Sequence, residues 1–286
     1  MSEEIKHKFN TKMVPFPSQA IVPERDLHKL PVLDVRNLGI DFGGLTAVDG
    51  FNITIGPTEI SGLIGPNGAG KTTIFNLLTS VYQPTRGSIL LNGIDTKGMT
   101  THKVNKLGIA RTFQNIRLFT DMTALDNVKV GMHNGIKCSF ASSVLRLPSH
   151  FKAEKQANEK AMELLDFMGL TEVADQKAGS LPYGVQRRLE IVRALATSPS
   201  IILLDEPAAG MNPSETTELM HQIRRIRDTF HIAVFLIEHD MNLVMNVCEA
   251  IAVVNYGRII AKGTPDDIRQ NPAVIEAYLG REEGNP

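Results

Sequence analysis

Residues 65–72 read Gly-Pro-Asn-Gly-Ala-Gly-Lys-Thr, which fits the phosphate-binding-loop pattern of glycine, four residues, glycine, lysine and then serine or threonine. The apolar run 60–64 precedes this segment, and residues 71–79 follow it with apolar side chains at helical spacing. A strand, a glycine-rich turn and a helix in this order let backbone N–H groups and the positive end of the helix dipole surround an anion. The segment therefore predicts an α/β core that binds nucleotide phosphates.

The residue types in this loop predict a nucleotide with β- and γ-phosphates as the ligand and Mg²⁺ as its metal, and the family resemblance described below implies that the nucleotide is ATP. We expect Lys71 to contact the β- and γ-phosphates and the Thr72 hydroxyl to ligate Mg²⁺. The residues predicted to bind ATP are Gly65, Pro66, Asn67, Gly68, Ala69, Gly70, Lys71, Thr72 and Thr73.

A second segment, residues 201–207, reads Ile-Ile-Leu-Leu-Asp-Glu-Pro and predicts a buried strand that ends in two carboxylates. Asp205 follows the apolar run at the carboxyl end of this strand, where open α/β sheets bind their ligands. We expect Asp205 to hold Mg²⁺, and Glu206, on the opposite face of the chain, to orient or deprotonate the attacking water. The pair predicts hydrolysis of ATP.

The composition and the course of the chain predict an intracellular protein with an inserted helical part. The chain has 286 residues, of which 42% are hydrophobic, and a formal net charge of -1, so no nucleic-acid partner is expected. The charged N-terminal stretch, the lack of a membrane-length apolar run and 2 distant cysteines favour a soluble chain with free thiols. Residues 1–31, interrupted by prolines, are predicted to form a flexible extension. Alternating apolar residues at 32–38 and 51–55 predict half-buried strands, and the short apolar runs at 232–237 and 251–255 predict buried ones. Helical spacing at 152–169 and 189–196 predicts a helical subdomain over 115–199, inserted between core segments 32–114 and 200–286.

Three further motifs are Asp-Phe-Gly-Gly at 41–44, Arg-Thr-Phe-Gln-Asn at 111–115 and Leu-Ile-Glu-His-Asp at 236–240. Together with the two segments above, they occur in the order found in the ATP-binding-cassette (ABC) ATPases, and the resemblance runs from about residue 32 to the C-terminus. The resemblance implies that Phe42 stacks on adenine, that Gln114 senses Mg²⁺ and water, and that His239 contacts the γ-phosphate. It also implies the fold, an α/β P-loop NTPase core with a mainly parallel sheet, an antiparallel β subdomain and an inserted α-helical subdomain. Glu206, His239 and Gln114 are then the expected catalytic residues, and Thr72, Gln114 and Asp205 the expected Mg²⁺ ligands.

The same resemblance places a signature segment in the helical subdomain, where it would meet the γ-phosphate bound by an opposite subunit. Its residues here are Leu181, Pro182, Tyr183, Gly184, Val185 and Gln186. Pro182, Tyr183 and Val185 replace the usual serine, first glycine and glutamine of the family. Asn212 stands where an aspartate usually bridges subunits. The departures leave open a weaker or regulatory second nucleotide site.

Six short segments of the chain are together similar to one branch of the family: 181–184, 186–191, 207–213, 237–241, 263–265 and 277–280. That branch is the larger of two ATPase subunits in bacterial branched-chain amino acid importers. The resemblance implies two membrane-spanning permease subunits, a second ATPase subunit in a heterodimer or homodimer, and an extracytoplasmic solute-binding protein. It also implies a location on the cytoplasmic face of the inner membrane. Three alternatives stay open: an ABC ATPase that serves a lipid or an exported compound, a soluble ABC protein that acts on translation or DNA, and a P-loop kinase.

Overall fold

The computed structural model describes residues 30–132 and 148–279, which form two compact units. Unit 1 comprises Met1–Ile109 and Ser200–Pro286, and unit 2 comprises Ala110–Pro199. Nearly all of the predicted extension 1–31 lies outside the described residues, as does Cys138. Within the described ranges, no helix has the length and hydropathy needed to cross a membrane.

An antiparallel sheet begins unit 1. Its strands, in spatial order, are β2 (Leu45–Ile55), β1 (Leu33–Phe42), β4 (Arg86–Leu91) and β5 (Ile94–Asp95). The sequence predicted strands only over 32–38 and 51–55, whereas the observed β1 and β2 both continue to a turn at 43–44. The register between β1 and β2 shifts three times after Val35, and such irregularities break the strict alternation on which the prediction depended.

The second sheet of unit 1 is mainly parallel and carries the two predicted motifs. Strands β10 (Arg258–Gly263), β9 (Ala250–Asn255), β3 (Ile60–Ile64), β8 (Ala233–Ile237) and β7 (Ile201–Asp205) are hydrogen-bonded in that order, with only β10 antiparallel. Every residue of β3, β7 and β8 is buried, which accounts for their continuous apolar sequences. Because these three strands are adjacent and parallel, the segments that begin at residues 65, 206 and 238 leave the sheet at the same edge.

The helices of the described residues are α1 (Lys71–Leu78), α2 (Thr101–Lys106), α3 (Ala124–Gly131), α4 (Pro148–Phe167), α5 (Tyr183–Leu195), α6 (Pro213–Phe230), α7 (Met241–Val247), α8 (Pro265–Arg269) and α9 (Pro272–Leu279). Helix α1 is the predicted helix after the phosphate-binding loop, and it buries Ile74, Phe75, Leu77 and Leu78. A hydrophobic core joins this face to the inner side chains of both sheets of unit 1. The loop is thereby held between a buried strand and a buried helix.

Helices α3, α4 and α5 form unit 2, with two short 3₁₀ turns at Thr171–Val173 and Ala178–Ser180. Strand β6 (Ile109–Arg111) carries the chain from unit 1 into unit 2. Helix α3 packs closely on α5, since a Cβ added at Gly131 would lie 2.4 Å from the carbonyl oxygen of Arg193. Helix α5 begins six residues before the predicted 189–196, because its first turns are polar and carry little apolar periodicity.

Candidate functional site

The loop at residues 65–70 has a backbone course that requires glycine at two points. A Cβ added at Gly65 would lie 2.0 Å from the carbonyl oxygen of Val254, so a side chain there would collide with strand β9. Gly70, which precedes α1, has a φ of 99° and passes close to the carbonyl oxygen of Ala47. The loop therefore turns tightly into the N-terminus of α1, the geometry that directs unpaired backbone N–H groups at an anion.

The side chain of Lys71 lies over this loop. Its Nζ atom donates to the carbonyl oxygens of Gly65 and Pro66 at 2.5 and 3.0 Å, and only 6% of the residue is exposed. Burial lowers the pKa of Lys71 below its ordinary value, and the negative charges of Glu206 and Asp205 oppose that shift. The predicted phosphate ligand and both predicted carboxylates are thus close enough to interact electrostatically, and Thr72, next in α1, is exposed.

Asp205 and Glu206 differ in burial and in backbone conformation. Asp205, the last residue of β7, is buried with 3% exposure. Glu206 follows with a φ of 48°, a left-handed conformation that costs a non-glycine residue roughly 1–2 kcal/mol. Its N–H donates to the carbonyl oxygen of Ile237 at 2.9 Å, which holds the turn after β7 against the end of β8. The structure therefore brings Glu206 beside the neighbouring turn.

The side chains of Glu206 and His239 are hydrogen-bonded to each other where the turns after β7 and β8 lie side by side. The distance between His239 Nε2 and Glu206 Oε1 is 2.9 Å, with the two side chains 43% and 17% exposed respectively. The hydrogen bond orients the Glu206 carboxylate, and its remaining exposure leaves it within reach of a general base's task, the removal of a proton from a hydrogen-bonded water. The pair was predicted residue by residue, whereas its direct contact was not.

Phe42, the predicted adenine platform, lies at the end of β1 and is partly exposed. Its ring packs edge to face against Tyr82, with centroids 5.3 Å apart and an angle of 75° between the planes. Both rings remain substantially exposed, so unit 1 presents an aromatic pair at this edge of the antiparallel sheet.

Gln114 lies in unit 2, in a segment that α5 holds by a buried ion pair. Arg187 donates to the carbonyl oxygens of Phe113 and Gln114 at 2.5 and 2.9 Å and to Glu190 at 3.0 Å. Glu190 accepts in turn from the N–H groups of Phe113 and Arg117. Both charged side chains are essentially inaccessible, at 0% and 1% exposure, while Gln114 itself is exposed. Helix α5 therefore fixes the backbone of the predicted magnesium-sensing residue.

The signature segment forms the start of α5. Leu181 is buried and Pro182 is the N-cap residue, while Tyr183 is exposed and Gly184, Val185 and Gln186 are partly buried. In the described part of unit 2, no side chain caps this helix end. The N–H groups of Val185 and Gln186 donate to the carbonyl oxygen of Pro182 at 3.0 and 2.9 Å, so those of Tyr183 and Gly184 are the ones that this helix end can direct at an anion.

Asn212 has a structural role in this chain as the N-cap of α6. Its Oδ1 accepts from the N–H groups of Ser214 and Glu215, and the Glu215 carboxylate accepts from the N–H of Asn212. This reciprocal capping box satisfies helix donors that would otherwise be unpaired.

Four residues with evident roles in these contacts were not singled out from the sequence: Arg187, Glu190, Glu238 and Tyr278. Glu190 and Arg187 have opposite charges three residues apart in a helix, a signal that predicts pairing but not burial. Glu238 accepts hydrogen bonds from both turns that carry Glu206 and His239. Burial raises the pKa of Tyr278 in α9, and a hydrogen bond with the backbone of Gly65 opposes this rise.

The described residues contain no group of three or more histidine, cysteine, aspartate or glutamate side chains placed to hold a metal ion. This finding is compatible with Mg²⁺, which binds through one or two protein ligands together with phosphate oxygens and water. A buried carboxylate at Asp205, which interacts electrostatically with Lys71, and an exposed residue with a hydroxyl group at Thr72, next to Lys71 in the chain, fit that type of site.

Comparison with known proteins identifies one family over most of the chain. Residues 48–209 match the family model described as ABC transporter, and residues 258–284 match that of the branched-chain amino acid ATP-binding cassette transporter. The high-affinity branched-chain amino acid transport ATP-binding protein BraF of Pseudomonas aeruginosa is 48% identical over 250 residues, which cover 87% of this chain and 98% of the relative. The protein of the same description from Escherichia coli K12, LivG, gives the same identity and coverage.

A solved structure agrees with this result. The ADP conformation of MJ1267, an ATP-binding cassette of an ABC transporter, aligns with 88% of this chain and 100% of its own length at a TM-score of 0.76 and 30% identity. The predicted combination of a parallel core, an antiparallel sheet and a helical part is confirmed at the level of the fold.

Proposed function

The chain belongs to the ABC transporter family, and we propose that it is the ATP-hydrolysing subunit of an importer of branched-chain amino acids. The observation that carries this proposal is the 48% identity to BraF over 98% of that relative's length. The separate match of residues 258–284 to a branched-chain amino acid transporter model supports the same solute class, because it lies outside the part that matches ABC transporters in general.

The proposed site for ATP lies in unit 1. Gly65 and Gly70 allow the loop to close around phosphates, Lys71 supplies the positive charge, and Phe42 stacks on adenine. We assign the rest of the loop, Pro66, Asn67, Gly68, Ala69, Thr72 and Thr73, to the same nucleotide. Thr72 and Asp205 would hold Mg²⁺, which neutralises charge on the β- and γ-phosphates, and the magnesium-sensing role of Gln114 is proposed from the family resemblance alone.

Hydrolysis is proposed to depend on Glu206 and His239. Glu206 orients the attacking water and accepts its proton, since its side chain is partly exposed and its carboxylate lies 2.9 Å from the imidazole. His239 keeps that carboxylate in one direction and contacts the γ-phosphate. Phosphoryl transfer depends on positioning and charge neutralisation more than on covalent help, and this residue set supplies both.

We propose that residues 115–199 act as a helical subdomain that passes ATP-driven movement to membrane subunits. Core segments 32–114 and 200–286 bind one nucleotide, and residues 181–186 meet the nucleotide of an opposite ATPase subunit. The partners are two transmembrane permeases, a second ATPase subunit and, indirectly, an extracytoplasmic solute-binding protein. The chain would then be peripheral on the cytoplasmic face of the inner membrane.

The experiment that tests this proposal is a pull-down of tagged Glu206→Gln chain from detergent-solubilised membranes of its native cells, with ATP and Mg²⁺. The variant retains Lys71 and the loop, so it should accumulate the ATP-bound assembly. Mass spectrometry should identify two multi-spanning proteins and a second ATPase. Recovery of this chain alone, or with soluble proteins only, would contradict the transport role, and recovery with export or lipid-handling subunits would contradict the solute class.

A further inference from the structure

Glu238 is a buried carboxylate directly after β8, and it is outside the set of residues proposed to bind or hydrolyse ATP. Only 4% of the residue is exposed, although it lies between the exposed His239 and the apolar strand. Strand β8 is paired in parallel register with β7, so that Ile237 lies opposite Asp205. Glu238 therefore lies beside the first residues of the turn that follows β7.

The two carboxylate oxygens of Glu238 bind the backbones of two different turns. Oε1 accepts from the N–H of Ala208, in the turn after β7, at 2.7 Å. Oε2 accepts from the N–H groups of His239 and Asp240, in the turn after β8, at 3.0 and 3.4 Å. Burial raises the pKa of Glu238 and the charge of Glu206 adds to that rise, while these three hydrogen bonds oppose it. One side chain thus joins the two turns.

The turns joined in this way carry the two side chains that meet in the candidate site. Glu206 lies two residues before Ala208 and adopts the left-handed backbone conformation, which neighbouring contacts must hold in place. His239 follows Glu238 directly, and the Asp240 side chain caps the next helix, α7, by accepting from the N–H groups of Asn242 and Leu243. With both turns fixed, Glu206 Oε1 and His239 Nε2 lie 2.9 Å apart.

We propose that Glu238 is a positioning residue for ATP hydrolysis, which sets the Glu206–His239 pair by binding both turns at once; this rests on the proposed function. The requirement is for two acceptor oxygens and no donor, because all three partners are N–H groups. Glutamine has the same size but only one acceptor, and its NH₂ group would face an N–H. Glu238→Gln can therefore satisfy one turn at a time, and the turns lose their common support.

The test uses the transporter complex isolated through an affinity tag on this chain, with ATP and Mg²⁺ as substrates. In Glu238→Gln we expect kcat to fall about tenfold or more while KM for ATP changes by less than about twofold, because positioning of the reacting pair is lost and the phosphate loop is intact. The matched control is Glu59→Gln. Glu59 is also 4% exposed and also accepts from a backbone N–H, that of Gly56, but it precedes β3 at the end away from the loop. Its variant should hydrolyse ATP within about twofold of wild type.

A double-mutant cycle with His239→Ala separates positioning from general destabilisation. If Glu238 acts through the pair, Glu238→Gln should add little to the loss already caused by His239→Ala, since residues that act as one unit are not additive. An undiminished second loss would overturn the proposal. If Glu238→Gln unfolds at a lower temperature than Glu59→Gln, a second variant, Glu238→Asp, separates positioning from stability. Aspartate keeps both carboxylate oxygens on a shorter side chain and should recover part of kcat. A kcat no higher than that of Glu238→Gln would contradict the positioning role.

Glu206→Gln separates this inference from the function on which it rests. If Glu206→Gln hydrolyses ATP at the wild-type rate, the assignment of the site itself fails. If Glu206→Gln is inactive while Glu238→Gln behaves like Glu59→Gln, the site stands and the positioning role of Glu238 is wrong.

Discussion

The buried Arg187–Glu190 pair leads to a prediction about unit 2. Two opposite charges with 0% and 1% exposure interact at 3.0 Å, so the removal of either one leaves the other without its partner inside the protein. Loss of one member of such a pair typically costs about 3–5 kcal/mol, because the remaining charge keeps its desolvation penalty. We expect Arg187→Met to reach this range. Glu190→Gln should cost less, about 2–3 kcal/mol, since the guanidinium keeps its bonds to Phe113 and Gln114.

The double variant Arg187→Met/Glu190→Leu should be more stable than the sum of the two single losses implies. It buries no charge, and the backbone groups released near Gln114 can reach water because that segment is exposed. We expect a coupling free energy of about 2–3 kcal/mol from urea unfolding followed by circular dichroism. The control pair is Lys155–Glu159 in α4, which is 79% and 59% exposed at 3.9 Å and should couple by less than about 0.5 kcal/mol.

The Arg187–Glu190 pair could stabilise unit 2 in general, or it could also hold the segment around Gln114 in place. Hydrogen exchange in peptides that cover residues 111–117 distinguishes these two roles. The double variant should show faster exchange in this segment even if its stability has recovered, because the hydrogen bonds of Arg187 and Glu190 with the backbone of residues 113, 114 and 117 are lost. Coupling no larger than that of Lys155–Glu159, or unchanged exchange in this segment, would refute the reasoning.

Three further predictions concern single residues of unit 1. Lys71→Ala should weaken ATP binding measured by calorimetry by about tenfold or more, since the loop loses its cation; binding equal to wild type would contradict the phosphate assignment. Gly65→Ala should destabilise the chain by about 1–3 kcal/mol in urea, because its Cβ would lie 2.0 Å from a carbonyl oxygen, whereas Gly98→Ala, with open space around it, should cost about 1 kcal/mol for its positive φ alone; equal costs would show that strand β9 yields easily. Asn212→Ala should lower the unfolding free energy by about 1 kcal/mol through loss of the α6 cap, and Asn212→Asp, which keeps an acceptor, should cost less than half as much.

The parts of the fold that could be predicted are those with one dominant physical signal. Strands β3, β7 and β8 are covered on both faces, so their sequences are continuous apolar runs between polar turns. The loop at 65–70 needs small residues and a lysine in fixed positions, which few other structures require. Strands β4, β5 and β10 were not predicted, because each is half exposed or very short and depends on pairing with a strand distant in sequence.

The candidate site also has a part that the sequence predicts and a part that it does not. Residue types predict the chemistry proposed for Lys71, Asp205, Glu206 and His239, but a hydrogen bond to a backbone N–H or C=O leaves no trace in the identity of the residue that supplies that backbone group. The contacts of Glu238 with Ala208 and Asp240 are of this kind, as are those of Arg187 with Phe113. Only the packing of strands β7 and β8 side by side shows that a glutamate after one strand can hold the turn after the other.

The central claim is that ATP hydrolysis by this chain drives import of branched-chain amino acids. Its most direct test is uptake of labelled leucine, isoleucine and valine by native cells in which the chain is wild type or Glu206→Gln. Uptake should be saturable in the wild type and about 100-fold lower in the variant at equal abundance of the complex, since the proposed water-orienting carboxylate is absent. Equal uptake in both strains would contradict this claim.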